Sequence, residues 1–228
     1  TTPCVFSPEY PQALREKLEW QVDVGNRTPR LICAKITDEP HISQACLDYC
    51  EHCKAEFSKR YGIELKKLEE YGDDAYGKWA LADFMGHYVS TAYKQSADIV
   101  KEKGSFDLLL TYMAMGLGYQ QTSRSQQDAL DWTRYVKWAD FDVYPYFYPV
   151  SQRLRMAQAG FAMTCMRDIS RARQVPWGFY AELDDRNWPF QQNPKEATAE
   201  CAFTAIARGA GYLNSFINQV TGTGCQSR

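Results

Sequence analysis

Five short apolar runs constrain the fold of this chain more than any other feature. A long stretch with helical spacing or loop character separates each run from the next. These candidate strands are residues 30–36, 106–113, 141–148, 177–183 and 211–217. Strands joined through long helical segments pair in parallel through right-handed crossovers. The sequence therefore predicts an α/β protein built on a parallel sheet.

Helical spacing is clearest in three of the intervening segments. Apolar residues recur every three or four positions from Leu81 to Ala92, and Gly104 follows as a stop signal. A second helix is predicted over 151–173. A third begins at Asn193-Pro194-Lys195-Glu196, where the asparagine can cap and the proline fits the first turn.

Polar residues gather where three of the predicted strands end. They are Asp38 and Glu39 after the first strand, Asp142 and Tyr144 in the third, and Glu182, Asp184 and Asp185 at the fourth. The carboxyl ends of parallel strands share one edge of the sheet, and that edge carries the chemistry in α/β enzymes. A doubly wound sheet is the rival architecture, but no glycine-rich phosphate loop follows any strand, so no organic cofactor is expected.

Composition excludes two classes of partner. The 228 residues carry 26 basic and 28 acidic side chains, a formal charge of −2, and contain no long basic run. Nucleic acid is therefore not expected as a partner. A membrane span is also excluded, because a span needs about 18 or more consecutive apolar residues.

Glu39 and Glu182 each lie at or just past the end of an apolar run, so both are predicted at the same edge. Two such carboxylates can divide the work of glycoside hydrolysis. One protonates the leaving oxygen, and the other attacks the anomeric carbon or activates water. The alternative is that they are unrelated acids in surface salt bridges.

Three of the eight cysteines are clustered. Cys46, Cys50 and Cys53 lie within eight residues, and zinc favours four soft ligands in a tetrahedron. A closed structural zinc site is one interpretation. Reduced cysteines that bind nothing, or one disulfide, are the others.

An ordered series of short motifs resembles a known family. The motifs are the run CVFSPEY (4–10), TDEP (37–40), the cysteines of 46–53, RYG (60–62), Trp79 and DVYP (142–145). In this order they resemble the beta-galactosidases of glycoside hydrolase family 42 and their relatives in clan A, over almost the whole chain.

The resemblance implies a (β/α)₈ TIM barrel with catalytic glutamates at the ends of strands four and seven. Glu39 then corresponds to the acid/base and Glu182 to the nucleophile, while Tyr144 resembles the tyrosine that hydrogen-bonds the nucleophile. The five predicted strands correspond to strands four to eight. Residues 1–228 would thus form a single catalytic segment of a partial barrel, with a zinc-binding insertion at about 41–75.

The same resemblance implies a set of zinc ligands. Cys4 occupies the place of a distant zinc-binding cysteine, and Cys50 and Cys53 match two further positions. The family pattern Cys-x-Cys-x-x-Cys begins here with Asp48. Either Cys46 substitutes from the preceding turn or Asp48 ligates through oxygen.

The expected partner is a carbohydrate substrate. Asp38 stands where the clan usually has an asparagine that binds the sugar 2-hydroxyl. Asp142 either binds a hydroxyl or anchors the barrel interior, and Trp188 is a candidate for sugar stacking. The departure at Asp38 leaves two rivals to a beta-galactosidase-like enzyme. One is a catalytically inactive carbohydrate-binding barrel or scaffold, and the other is a hydrolase of polymeric or acidic sugar.

Two expectations concern assembly. Family 42 relatives are often trimers, so the resemblance implies a homo-oligomer. Five strands do not close an eight-stranded barrel, so we expect the first three strands to be missing from this segment. The segment alone should expose a sheet edge and be poorly soluble.

Overall fold

The centre of the structure is a five-stranded parallel sheet. A computed structural model of the chain describes residues 3–35, 49–113, 129–142, 152–182, 195–216, 220–221 and 224–225. The strands are β1 (Cys33–Lys35), β2 (Asp107–Met113), β3 (Trp138–Asp142), β4 (Trp177–Glu182) and β5 (Tyr212–Phe216). Their order in the sheet is their order along the chain, and every neighbouring pair is parallel. The predicted α/β class with a parallel sheet is confirmed.

Helices provide the crossovers between the strands. They are α1 (Tyr10–Arg27), α2 (Glu51–Tyr61), α3 (Ala75–Lys103), α4 (Ala129–Trp132), α5 (Gln152–Arg173) and α6 (Lys195–Ala207), with a 3₁₀ turn at Leu68–Tyr71. Two further short strands, β6 (Val220–Thr221) and β7 (Gly224–Cys225), form an antiparallel pair. Among the described residues, no helix has both the length and the apolar character that crossing a membrane demands.

Two strands start three residues away from the predicted position. The first strand begins only at Cys33, because Arg30 has a φ of 64° and this left-handed conformation cannot continue a strand. The third begins at Trp138, three residues before the predicted start, because Trp138 already pairs with Leu109 of β2. The later part of that prediction, residues 143–148, lies outside the described residues.

Helix α3 is the long helix that crosses from β1 to β2. The carboxylate of Asp74 accepts a hydrogen bond from the Gly77 N–H at 3.0 Å and so caps the first turn. Gly104 follows the last helical residue, as the sequence predicts. The buried side of α3 carries the apolar positions predicted from spacing, with Leu81, Phe84 and Met85 at most 1% exposed.

The main core lies between the sheet and its covering helices. Trp132 is fully buried and stacks on Tyr93 of α3, with 5.8 Å between ring centroids. Trp177 and Phe179 of β4 are buried in the same cluster. A smaller cluster joins α1 to α3 through Leu14, Leu18 and Ile99, among others. Both helices are thereby fixed beside the sheet.

Candidate functional site

Two of the predicted site residues occupy strand ends at the same edge of the sheet. Glu182 is the last residue of β4 and pairs in register with Phe216 of β5. Asp142 is the last residue of β3 and pairs with Met113 and Tyr180. Because all five strands are parallel, these carboxyl ends form one edge.

The remaining residues predicted for this edge fall outside the described residues. Asp38 and Glu39 come three and four residues after the end of β1, Tyr144 comes two after β3, and Trp188 comes six after β4. Their roles stay predictions. In the sheet, β2 and β3 lie between β1 and β4.

A second candidate site is a cluster of three thiols. The sulfur atoms of Cys4, Cys50 and Cys53 all lie within 4.8 Å of one another, and the Cys4 and Cys53 Sγ atoms are 3.4 Å apart. All three are free cysteines. The predicted fourth ligand, Cys46, and its alternative, Asp48, lie outside the described residues.

Local structure explains how the thiols meet. Cys50 is the residue before the first turn of α2, and Cys53 lies one turn later on the same side of the helix. Cys4 begins a turn in which the Ser7 N–H donates to the Cys4 carbonyl at 2.9 Å. The N-terminal segment, residues 3–9, thus brings a thiol to the start of a helix 49 residues further along the chain.

Aromatic side chains hold the N-terminal segment in place. The Phe6 ring stacks on Phe84 and on His87, at centroid distances of 5.4 and 5.5 Å. The Tyr88 hydroxyl accepts a hydrogen bond from the Val5 N–H at 3.4 Å. The sequence did not predict these contacts between the N-terminal segment and α3. Phe84 and Tyr88, two aromatic residues within the predicted helix, were the feature of the sequence that could have indicated them.

Burial determines the protonation of the metal-free cluster. Cys53 is completely buried, Cys4 is 7% exposed and Cys50 is partly exposed. Desolvation raises the pKa of Cys53 far above its usual range and also raises the pKa of Cys4. Both buried thiols therefore keep their protons at neutral pH, and a bound metal must displace these protons.

The donor set fits a tetrahedral thiolate centre. Zinc–sulfur bonds of about 2.3 Å in a tetrahedron place the sulfur atoms roughly 3.8 Å apart. The observed separation of Cys4 and Cys53 is 3.4 Å, and all three sulfurs lie within 4.8 Å. Side-chain movements of a few tenths of an ångström up to about 1 Å would bring the three thiols to zinc distance.

Comparisons with known proteins give information only about the fold of this chain. No protein-family model and no curated protein sequence matches the chain. Among solved structures, the catalytic domain of beta-amylase from Paenibacillus polymyxa is similar at 9% identity and a TM-score of 0.55, over 92% of this chain and 63% of that one. The hyperthermostable endo-1,4-beta-D-mannanase from Thermotoga petrophila RKU-1, solved with maltose and glycerol, matches at 10% identity and a TM-score of 0.47, over 71% of this chain and 59% of that one.

The chain spans about three-fifths of the length of each of these structures. Together, the parallel sheet, its crossover helices and the likeness to the beta-amylase domain define the class: an α/β fold of the kind found in TIM-barrel enzymes.

Proposed function

We propose that this chain is the catalytic segment of a retaining glycoside hydrolase that cleaves β-glycosidic bonds in the manner of a beta-galactosidase. The proposal rests on the parallel sheet, in which the strands lie side by side in the order in which they occur along the chain. Glu182 ends β4 at the carboxyl edge, and Glu39 comes four residues after the end of β1 in the sequence. The likeness to the beta-amylase catalytic domain supports the fold on which such chemistry is built.

The proposal includes a barrel in which these five strands are numbers four to eight. Neighbouring strands are about 4.8 Å apart, so β1 and β4 would lie about 14 Å apart across a flat sheet. A retaining enzyme needs its two carboxyl groups about 5–5.5 Å apart. In the proposed closed barrel, curvature would direct the ends of β1 and β4 toward a common axis, and the mechanism requires the two carboxyl groups to come within that range.

In the proposed mechanism the two glutamates act in sequence. Glu39 protonates the glycosidic oxygen while the Glu182 carboxylate attacks the anomeric carbon, and the leaving group departs as an alcohol. Water then cleaves the glycosyl-enzyme, with Glu39 as the general base that accepts its proton. Glu39 must therefore be protonated when Glu182 is ionised, and the neighbouring carboxylate of Asp38 favours that state because it disfavours a second negative charge.

The other predicted residues bind substrate in this proposal. Asp38 and Asp142 accept hydrogen bonds from sugar hydroxyls, and Tyr144 donates to the Glu182 carboxylate. The indole of Trp188 offers a flat apolar face to the C–H side of a pyranose ring. These roles rest on the family resemblance and on the position of each residue in the sequence, at the end of a strand or after it.

Substitution of the two glutamates in the full protein tests the mechanism. Glu182→Gln and Glu39→Gln should each lower kcat for aryl β-galactosides by at least about 10³-fold, since each removes a group that acts on the reacting atoms. Azide should restore turnover to Glu182→Gly and yield the glycosyl azide of inverted configuration. Asp185→Asn, a nearby acid without a proposed role, is the matched control. Wild-type turnover in both glutamine variants would contradict the assignment.

A second candidate function is a sugar-binding barrel without turnover, and Asp38 in the usual place of asparagine favours it. Saturable binding of galactose or an oligosaccharide by the full protein, with no hydrolysis of any glycoside in a panel, would support this function over the first. A panel that includes acidic and polymeric sugars also identifies the substrate class.

We further propose that Cys4, Cys50 and Cys53, with Cys46 as the fourth ligand, hold a structural zinc ion. Bound zinc would supply a cross-link between the N-terminal segment and α2, and no step of the hydrolysis uses it. The observed meeting of three thiols from two distant parts of the chain supports this proposal.

A further inference from the structure

Two sulfur atoms of the thiol cluster, from segments far apart in the sequence, are in contact. Cys4 and Cys53 lie on separate segments, yet their sulfur atoms are 3.4 Å apart, whereas a disulfide bond is about 2.05 Å long. Both are almost fully buried, while Cys50 beside them is partly exposed. We propose that the metal-free cluster is a site of oxidative modification, at which a low-molecular-weight disulfide drives formation of a Cys4–Cys53 bond with Cys50 as the first thiol to react.

The chemistry balances in three exchange steps. The Cys50 thiolate attacks the small disulfide, forms a mixed disulfide and releases one thiolate of the reagent. The Cys53 thiol then gives its proton to the departing second reagent thiolate as its sulfur attacks the Cys50 sulfur, which forms Cys50–Cys53. Finally the Cys4 sulfur attacks the Cys53 sulfur, and the Cys4 proton passes to the departing Cys50 thiolate, so that Cys50 is regenerated as a free thiol. Two protein thiols are oxidised and one reagent disulfide is reduced.

The docking of the N-terminal segment favours Cys4–Cys53 as the end product. The Tyr88 hydroxyl and the stacked Phe6 ring hold the residues next to Cys4 against α3, so the Cys4 sulfur already faces Cys53. The bond also closes a loop of about 50 residues, whereas Cys50–Cys53 closes a single helical turn. A longer closed loop constrains the unfolded chain more strongly.

The modification has a structural consequence. The bond would join the same two segments that zinc joins in the proposed metal centre, and it would consume two of the sulfur ligands. The cluster would therefore keep the N-terminal segment attached in both states but bind zinc in only one. This inference concerns the same three thiols as the proposed metal centre but does not require that zinc binds, and it is independent of the proposed hydrolysis.

The experiment uses the full chain after metal removal with a chelator. The protein is treated with cystamine, and free thiols are then blocked with N-ethylmaleimide. Trypsin leaves Cys46, Cys50 and Cys53 on one peptide, residues 36–54. A second cleavage, after Glu51, is therefore needed to separate Cys53 from the other two cysteines. Mass spectrometry without reduction then identifies the linked pair.

We expect Cys4 linked to Cys53, with Cys50 carrying maleimide. Cys50→Ser should form the same bond at least tenfold more slowly, Cys4→Ser should stop at Cys50–Cys53, and Cys165→Ser, a half-buried thiol on α5, should behave as wild type. Zinc added before cystamine should lower the yield at least tenfold.

A wild-type end product that leaves Cys4 blocked by maleimide would overturn the proposal, whether or not the variants fold. A measurement of zinc bound to the reduced protein separates the two ideas. If the Cys4–Cys53 bond forms in a protein that binds no zinc, the modification stands and the metal centre fails.

Discussion

At the scale of single residues, Cys53 connects the N-terminal segment to the start of α2. It is fully buried, its sulfur contacts that of Cys4, and it lies one turn after Cys50 at the start of α2. Phe57 follows one turn later and packs edge-on against Phe84 of α3, with 5.1 Å between centroids. The thiol cluster therefore continues directly into the aromatic core between α2 and α3.

Replacement of Cys53 tests whether the cluster holds a metal. Cys53→Ser nearly preserves side-chain volume but removes a soft ligand, so we expect bound zinc to fall from about one equivalent to below about 0.1. If the metal contributes about 2 kcal/mol or more, Tm should fall by roughly 4–8 °C in a chain of this size. Metal analysis and calorimetry provide the two measurements.

Two controls separate the metal from the side chain. The Cys165→Ser variant should bind as much zinc as the wild-type protein and should melt at the same Tm. A chelator should lower the Tm of the wild-type protein as far as Cys53→Ser does and should not lower that of the variant. A wild-type protein that carries no zinc after purification in its presence would contradict the prediction.

At the scale of elements, α3 organises the structure. One side of the helix packs against the sheet through β2, and it also contacts α1, α4 and the 3₁₀ turn. Its start is fixed by the Asp74 cap and its end by Gly104. The spacing of apolar residues predicts this helix because each buried position repeats with the helical period. Helix α1 has the same kind of buried stripe, at Leu14, Leu18 and Val22.

The cap of α3 gives a prediction with a neighbouring control. Asp74→Ala removes the carboxylate that accepts from the Gly77 N–H, and loss of such a cap costs about 1 kcal/mol. Asp73→Ala changes the preceding exposed acid, which does not provide the cap, and should change the free energy of unfolding by less than about 0.5 kcal/mol. Urea denaturation of both variants measures the difference. Equal stability of the two would contradict the cap seen in the structure.

At the scale of the whole molecule, the sheet has two outer strands. β1 and β5 each pair on one side with a neighbour within the described five-stranded sheet. Ile32, directly before β1, is 62% exposed. An exposed apolar side chain beside an outer strand favours association with another chain.

The whole-molecule prediction is that the 228-residue chain associates in solution. Sedimentation velocity should show species larger than the 26.2 kDa monomer. Ile32→Lys should shift the distribution toward monomer by at least twofold, because a charge at the edge opposes pairing. Ile206→Lys places the same charge on α6, where Ile206 is also exposed, and should have less effect. A monomer that melts cooperatively would contradict the prediction.

The sequence by itself determined the class of the fold and the positions of most elements, because apolar spacing and end signals are local properties of the chain. It placed Glu182 at a strand end and predicted α3, its stop at Gly104 and the strand at β4. Only the tertiary structure decided the start of β1, since the left-handed Arg30 is a conformational detail that apolar patterning does not encode.

Tertiary packing also decided which thiols meet. The spacing of Cys50 and Cys53 follows from one helical turn, but the approach of Cys4 depends on the docking of Phe6 and Tyr88 between distant segments. Residue spacing alone does not specify such a long-range contact, and the family resemblance was needed to single out Cys4. The contact forms because burial of the aromatic rings brings the N-terminal segment onto α3 and holds the Cys4 sulfur beside Cys53.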